Sequence, residues 1–330
     1  MYLGIYMEIL LQFILLAAGF VFLIKGADWL VDGASSAASN FKVSKLLIGL
    51  TIVAFGTGAP ELAVSFSSFF NGSTDILIGN VIGSNIINVL LLIGIAAIIC
   101  PIKVKKDTVS KELPLLLLIS TALIILLLDV DLSEAVINTF SRADAIICLL
   151  FFGIFLYYLI SLARKNKKEA KKVEKPKYKL GKSILFVLVG LAGIVAGSEL
   201  VVNSASTIAS TVGISERIIS LTIVALGTSL PELVTTITAA RKGENDLLIG
   251  NIVGSNIFNI CIVLALPVLF SGGITPDNFE VIDLTMLILS SFLICILARR
   301  GHEISRIDGA LMLIIFFIYY GYLGYGALAV

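Results

Sequence analysis

The sequence predicts an all-α integral membrane protein of ten transmembrane helices, arranged as two inverted repeats of five. Three observations lead to this fold class: a high apolar content, an alternating distribution of basic residues and an internal repeat. Of the 330 residues, 58% are hydrophobic and 14% are charged, whereas soluble domains carry about 25% charged residues. Apolar stretches of about 20 residues, enough to span a ~30 Å hydrocarbon layer, recur along the whole chain.

Ten apolar segments are predicted to be membrane-spanning helices. The first lacks a cationic start and a small-residue cleavage site, which favours a first span over a removed signal peptide. The predicted spans are residues 8–35, 44–70, 75–100, 112–130, 142–163, 182–210, 215–240, 246–270, 280–298 and 306–327.

The basic residues alternate between loops in a way that predicts topology. Apart from Lys25, Arg142 and Arg217, the 24 lysines and arginines fall in or beside the odd-numbered loops. The positive-inside rule places those loops in the cytoplasm and both termini outside the cell. Residues 164–181 are the most basic loop and are predicted to be a cytoplasmic linker. The expected location is the cell membrane.

The chain matches itself without a gap when it is shifted by 171 residues. Residues 44–88 and 215–259 are identical at about half of their positions, and the identities concentrate in polar residues. The first repeat is predicted to cover residues 1–163, with its motif region at 44–100, and the second to cover 182–330. The second motif region is 215–270. Five spans per repeat is an odd number, so the repeats cross the membrane in opposite directions, and transporters of this design place their site between the repeats.

The second span of each repeat carries the motif that points to chemistry. Residues 56–61 read GTGAPE, and residues 227–232 read GTSLPE. Glycine and proline within a span free backbone carbonyls, which a membrane tolerates only inside protein or beside a cavity. A carboxylate at mid-membrane costs at least ~2.5–3.5 kcal/mol on insertion scales. Glu61 and Glu232 are therefore predicted to face one another in a cation site of hard oxygen ligands.

The third span of each repeat supplies further oxygen ligands. Residues 79–88 read GNVIGSNIIN, and residues 250–259 read GNIVGSNIFN. In each copy a serine and an asparagine lie four residues apart on one helix face, where they can complete a cation shell. These pairs are Ser84 with Asn88 and Ser255 with Asn259. The other asparagines, Asn80, Asn85, Asn251 and Asn256, are assigned to hydrogen bonds between helices.

Other functions have little support in the residues. The one histidine, His302, lies in a basic loop, so neither a histidine metal site nor a Ser-His-Asp triad is predicted in the membrane. We expect no enzyme activity, no cofactor, no nucleic-acid partner and no obligatory protein partner. Lys25, Asp28 and Asp32 are three or four residues apart on the first span and are predicted to form an ion-pair cluster.

The paired motifs resemble the two α-repeats of the cation/Ca²⁺ exchanger superfamily, and most closely its prokaryotic Na⁺/Ca²⁺ exchanger group. The resemblance covers nearly the whole chain. It implies electrogenic, Na⁺-driven Ca²⁺ antiport with Ca²⁺ and Na⁺ as the transported ions. The residues that match the family's ligand positions are Glu61 and Glu232 for Ca²⁺, Thr57 and Thr228, the Na⁺ ligands Ser229, Ser84 and Ser255, the carbonyls of Ala54 and Ala225, and Asn88 with Asn259.

Two positions depart from the family's pattern. Gly58 stands where the second repeat and the family have serine, so one Na⁺ position lacks a hydroxyl; a need for positive φ would also explain the glycine. Asn259 stands where K⁺-dependent members carry aspartate, which argues against K⁺ co-transport. A Ca²⁺/H⁺ antiporter is the alternative reading, and a cation channel, which usually builds its filter from rings of repeats, is a more distant one.

Overall fold

The computed structural model describes residues 2–70, 74–128, 137–168, 175–211, 225–275 and 281–329, and nearly all of them are helical. Eight of the described helices are long and apolar enough to cross a membrane. A further pair of helices passes the same test together and is bent by 43° between its halves. The prediction of a helical, multi-pass membrane protein is confirmed at this level.

The helices are numbered here in chain order, and π-helical turns are counted with the helix that they continue. Residues 212–224, where the predicted span 215–240 begins, and residues 169–174 of the linker lie outside the described residues. The helices are α1 (Tyr2–Phe41), α2 (Lys45–Thr57), α3 (Ala59–Phe70), α4 (Thr74–Ile86, Ile87–Leu92 and Ile93–Ile99), α5 (Thr108–Glu112 and Leu113–Leu127), α6 (Arg142–Lys168), α7 (Leu180–Thr211), α8 (Ala225–Thr228), α9 (Leu230–Arg241), α10 (Asn245–Phe258, Asn259–Leu264 and Ala265–Ser271), α11 (Val281–Arg299) and α12 (Arg306–Ala329).

Two short antiparallel strand pairs join loops of the two repeats. Strand β1 (Ile102–Lys103) pairs with β4 (Glu303–Ile304), and β2 (Phe140–Ser141) pairs with β3 (Gly273–Ile274). Shifted by 171 residues, β1 coincides with β3, whereas β2 and β4 correspond through the Ser-Arg-x-Asp sequences that begin at their ends, residues 141–144 and 305–308. Each strand pair is therefore the counterpart of the other.

The long helices α1 and α7 pack against each other in antiparallel directions at closely spaced glycines. A Cβ atom built on Gly26 would lie 2.8 Å from the carbonyl oxygen of Gly190, and one on Gly19 would lie 3.0 Å from that of Gly197. Three glycines of α1, Gly19, Gly26 and Gly33, recur every seven residues, and Gly33 faces Ser183 in the same register. Small residues let two helix backbones approach closely within a membrane, where dispersion contacts stabilise association.

Ion pairs tie the end of α1 to distant parts of the chain. Asp32 pairs with Lys242 at 3.0 Å and with Lys177 at 2.7 Å, and Asp28 pairs with Lys242 at 3.1 Å. The prediction that Asp28 and Asp32 form ion pairs is confirmed, but the predicted partner, Lys25, is wrong. The lysines that neutralise these carboxylates come from the linker and from the turn between α9 and α10.

Buried side chains concentrate around α2, α4, α9 and α10. Every residue of α10 from Leu247 to Phe258 is buried. In contrast, α1, α6 and α12 expose large apolar side chains on their outer faces, as expected for helices in contact with lipid. The most enclosed part of the molecule therefore contains the helices that carry the two repeated motifs.

Candidate cation site

Two helix breaks with the same backbone conformation lie in the enclosed central region of the protein. Helices α2 and α3 meet at Gly58, with φ −78° and ψ 3°, and α8 and α9 meet at Ser229, with φ −86° and ψ 2°. A proline follows each break by two residues, and its missing N–H leaves a carbonyl of the preceding turn without its usual helical donor. Each break places a glutamate in the first turn of the next helix.

The carboxylates of Glu61 and Glu232 are buried together. Each residue is 1% exposed, and the two lie close enough to repel one another when both are charged. Among the described residues, no hydrogen bond reaches Oε2 of Glu61 or either carboxylate oxygen of Glu232. An unpaired buried charge is strongly unfavourable. The pair therefore requires a compensating positive species, which a bound cation or protons can supply.

Hydroxyl groups of both repeats lie beside this pair. Thr57 and Ser255 adjoin the carboxylate of Glu232. The hydroxyl of Thr57 donates to the carbonyl oxygen of Val53 at 3.0 Å, and that of Ser255 to the carbonyl oxygen of Ala54 at 3.4 Å. A hydroxyl has one proton and two lone pairs, so a hydroxyl that donates to a backbone carbonyl keeps lone pairs available to a cation.

The third-span asparagines present amide oxygens to the same region. Asn88 and Asn259 are each 1% exposed and lie in the π-helical turns Ile87–Leu92 and Asn259–Leu264. Asn88 donates through Nδ2 to Oδ1 of Asn256 at 2.9 Å. The Oδ1 atoms of Asn88 and Asn259 have no hydrogen-bond partner in the part of the chain that the structure describes. π-helical turns often occur at functional sites, and here they carry these two potential ligands.

The other predicted ligands lie on the same helices. Ser229 is 2% exposed and Ser84 is 3% exposed, one turn before Asn88. Thr228 is half-buried at the end of α8, and Ala225 begins that helix. For Ser84 and Ala225 the structure gives a helix position rather than a contact with the carboxylates. Ser255, Thr57 and the carbonyl of Ala54 are the predicted residues that it brings together across the two repeats.

Sequence reasoning named Asn80 and Asn251 as hydrogen-bonding residues between helices but missed Ser65 and Thr236, the hydroxyl residues one turn after the glutamates. Asn80 donates through Nδ2 to the carbonyl oxygen of Glu61 and to Oγ of Ser65, both at 3.2 Å. The equivalent residues of the second repeat are Asn251 and Thr236, which are 1% and 0% exposed. Ser65 and Thr236 each follow a glutamate by four residues, and this helical spacing is the signal that could have identified them.

A phenyl ring lies beside the glycine that departs from the repeat. A Cβ atom on Gly58 would lie 3.2 Å from Cδ1 of Phe258 and 3.1 Å from the carbonyl oxygen of Ala54. Phe258 stacks on Phe55 with ring centroids 4.9 Å apart. Since φ of Gly58 is negative, a need for positive φ does not explain this glycine. The crowded space beside the ring does favour a residue without a side chain.

Comparison with known proteins identifies the family to which this chain belongs. The family model described as sodium/calcium exchanger protein matches residues 11–161 and 182–324. These two ranges cover most of the chain and contain both helix breaks. The chain belongs to the sodium/calcium exchanger family.

Relatives of exchanger type match nearly the full length. The chain is 37% identical over 321 residues to the putative antiporter CaxA of Alkalimonas amylolytica, which spans 93% of this chain and 96% of the relative. It is 32% identical over 339 residues to the sodium/calcium exchanger MaX1 of Methanosarcina acetivorans, with coverage of 93% and 97%. A solved structure of the sodium-calcium exchanger NCX_Mj superposes with a TM-score of 0.80 at 31% identity, and covers 95% of this chain and 99% of that one.

Proposed function

We propose that this chain is a secondary active Na⁺/Ca²⁺ antiporter, electrogenic, that works by alternating access around one cation site between its repeats. The observation that carries the proposal is the pair of buried, uncompensated carboxylates of Glu61 and Glu232 at matching helix breaks. Membership of the exchanger family supports the choice of ions. Oxygen ligands of this kind suit hard cations such as Ca²⁺ and, by the same chemistry, Na⁺.

The ligands proposed for Ca²⁺ and Na⁺ form one set drawn from both halves. The two carboxylates balance most of the charge, and neutral oxygens complete the shell. Burial of the glutamates, of Thr57 and of the serine and asparagine pairs supports this set. Its members are Ala54, Thr57, Glu61, Ser84 and Asn88 from the first repeat, and Ala225, Thr228, Ser229, Glu232, Ser255 and Asn259 from the second.

Charge explains why such a site would exchange ions rather than bind both kinds together. Positions 88 and 259 are amides, so the site has two formal negative charges, which one Ca²⁺ neutralises. Two unit charges of like sign at 4 Å repel by about 4 kcal/mol at an effective dielectric of 20. A Na⁺ ion added beside a bound Ca²⁺ would therefore be expelled, and Ca²⁺ and Na⁺ would occupy the site alternately. The lack of a third negative charge argues against a requirement for K⁺.

The architecture that goes with this function is ten spans in two inverted repeats, residues 1–163 and 182–330. The matching strand pairs β1–β4 and β2–β3 support a twofold relation. So does the hydrogen bond between the buried hydroxyls of Ser120 and Ser291, 3.2 Å apart, since these residues are 171 positions apart and hence equivalent.

The proposed location is the cell membrane, with both termini outside and the basic linker 164–181 in the cytoplasm. Basic residues concentrated in the odd loops support this orientation. The protein would act as a transporter without catalytic residues, a cofactor or an obligatory protein partner.

Flux of ⁴⁵Ca²⁺ into proteoliposomes tests the function. Vesicles loaded with Na⁺ should accumulate ⁴⁵Ca²⁺ when they are diluted into Na⁺-free medium, with or without K⁺, and a negative-inside potential should change the rate. Uptake driven by a H⁺ gradient alone would favour the Ca²⁺/H⁺ antiporter. Uptake that needs no counter-ion would favour a channel.

A further inference from the structure

We propose that Thr236 and Asn251, together with the carboxylate of Glu232, form an additional cation position that Na⁺ or Ca²⁺ occupies on its way between the central site and the cytoplasm. The inference rests on the proposed antiport function and deepens it. It assigns a role to two residues outside the predicted ligand set.

The first support is a buried polar group without a partner in each residue. Thr236 Oγ1 and Asn251 Nδ2 form no hydrogen bond within the described ranges, and their residues are 0% and 1% exposed. Thr57 and Ser255 adjoin the carboxylate of Glu232, but neither of its oxygens has a partner at hydrogen-bond geometry within the described ranges. Native proteins rarely leave buried polar atoms unpaired, and each exception calls for an explanation such as a bound ion or water.

The second support is the contrast with the first repeat. There the equivalent groups satisfy one another, because Asn80 Nδ2 donates both to Ser65 Oγ and to the backbone of Glu61. Helices α3 and α9 start from the same backbone geometry. The unpaired groups of the second repeat are therefore a property of its side chains and their packing rather than of the motif.

The chemistry of the three groups suits a hard cation. Thr236 follows Glu232 by one helical turn, so its hydroxyl and the carboxylate share a face of α9. Oδ1 of Asn251 lies 3.3 Å from the Thr57 hydroxyl. A half-turn of the Asn251 amide presents its oxygen where the unpaired Nδ2 now lies. In the first repeat the equivalent amide, that of Asn80, bonds to Ser65 and to the backbone of Glu61, and the same placement would bring the Asn251 amide beside Thr236 and Glu232. A hydroxyl, an amide oxygen and a carboxylate oxygen are the ligand types that Na⁺ and Ca²⁺ use.

The position lies on the way to the face predicted to be cytoplasmic. Beyond Thr236, α9 leads to Arg241 and Lys242, and Asn251 lies near the start of α10. A cavity of about 490 Å³ opens at this end. Its lining includes Glu244 and Asp246, which pair with Lys45 and Lys105 across the opening.

The test compares hydroxyl deletions in the two repeats. Thr236→Val keeps the shape of the side chain and removes the unpaired hydroxyl, and Ser65→Ala removes the hydroxyl that Asn80 already satisfies. Half-saturating Na⁺ and Ca²⁺ concentrations are measured by ⁴⁵Ca²⁺ exchange in everted and right-side-out membrane vesicles. Thr236→Val should raise these values at the cytoplasmic face by about fivefold or more, and at the external face by less than about twofold. Ser65→Ala should show no such dependence on the face.

Thermal unfolding of the purified variants separates ion binding from structural support. Thr236→Val should melt no lower than the wild type, because it removes an unpaired buried hydroxyl, whereas Ser65→Ala should lose about 2 °C or more. A lower melting temperature in Thr236→Val, unchanged half-saturation, or equal changes at both faces would overturn the additional position. Absence of Na⁺-dependent exchange in the wild type would instead refute the proposed function itself.

Discussion

The two halves of the central site have the same backbone conformation at their helix breaks but differ in the surrounding side chains. Gly58 and Ser229 have nearly identical dihedral angles, and each precedes a buried glutamate by three residues. Around this frame, the first half pairs a glycine with the ring of Phe258, while the second half has a serine, with Ile87 at the position equivalent to Phe258. In the first half Asn80 and Ser65 bond to each other; in the second, Asn251 Nδ2 and Thr236 Oγ1 have no described partner.

This comparison distinguishes the features that both halves share from the neighbouring side chains that differ between them. The helix break and the carboxylate create the charge of the site, and both halves retain them. Nearby side chains have diverged, as at Gly58 and Ser229 and at Ser65 and Thr236, and we propose that they tune how each half binds and releases ions. In an inverted arrangement the two halves would face opposite sides of the membrane. Different side chains in the two halves would then allow the affinity for Na⁺ and Ca²⁺ to differ between the two sides.

Removal of either carboxylate should have the largest effect, and it should be equal in the two halves. Glu61→Gln and Glu232→Gln keep the side-chain volume and delete one of the two charges that balance Ca²⁺. Each should reduce Na⁺-driven ⁴⁵Ca²⁺ uptake by about 100-fold or more, while the protein elutes as a folded species in gel filtration. Asp107→Asn, on an exposed carboxylate paired with Lys111, is the control and should retain uptake. Near-normal exchange in either glutamine variant would refute the shared site.

An aspartate at position 259 should create sensitivity to K⁺. Asn259→Asp adds a third negative charge near mid-site, worth about 4 kcal/mol of attraction for a cation at 4 Å and an effective dielectric of 20. We expect K⁺ to stimulate exchange in this variant by about tenfold, and to have no effect on the wild type.

The matched change in the first half should behave differently. Asn88→Asp removes the Nδ2 donor that bonds Asn256, so this variant should also lose stability in thermal unfolding. For the change at position 259, a strict K⁺ requirement of the wild type would contradict the argument that the neutral Asn259 leaves no charge to favour K⁺ binding.

A hydroxyl restored at position 58 should have a smaller effect, and the phenyl ring should limit it. Gly58→Ser supplies the oxygen that Ser229 offers in the other half, but its Cβ must displace Phe258 by a few tenths of an ångström. The double variant Gly58→Ser with Phe258→Ile copies the second half and should lower the half-saturating Na⁺ concentration by about threefold, more than Gly58→Ser alone. Equal Na⁺ dependence in the wild type and a well-folded double variant would show that the missing hydroxyl does not limit Na⁺ binding.

Inversion of the halves predicts opposite accessibility at equivalent loops. Lys103 in β1 and Thr275 directly after β3 are both exposed. In intact cells, a membrane-impermeant thiol reagent should label Thr275→Cys and leave Lys103→Cys unlabelled until the membrane is permeabilised. The wild type, with its four native cysteines, gives the background. Labelling of both variants from outside would contradict an inverted arrangement.

The sequence was sufficient to predict the burial of the two glutamates, because a charged side chain is unfavourable in contact with lipid. Two carboxylates at equivalent positions inside apolar spans had to be buried in protein, and Glu61 and Glu232 are. It failed where a partner came from far along the chain. Asp28 and Asp32 pair with Lys242, more than 200 residues away, because helix packing rather than spacing on one helix decides the contact. Likewise, Asn80 and Asn251 occupy the same position of the GNxxGSN motif, and only the packed structure shows that their hydrogen bonding differs.

Equilibrium binding to the purified protein tests the central claim most directly. ⁴⁵Ca²⁺ binding in detergent should saturate at about one ion per chain, because two carboxylates neutralise one Ca²⁺. Na⁺ should displace it competitively and with a Hill coefficient above one, since more than one Na⁺ replaces each Ca²⁺. Glu61→Gln and Glu232→Gln should each abolish this binding. Two equivalent Ca²⁺ ions per chain, or Ca²⁺ that stays bound at saturating Na⁺, would contradict a single site shared by the two halves.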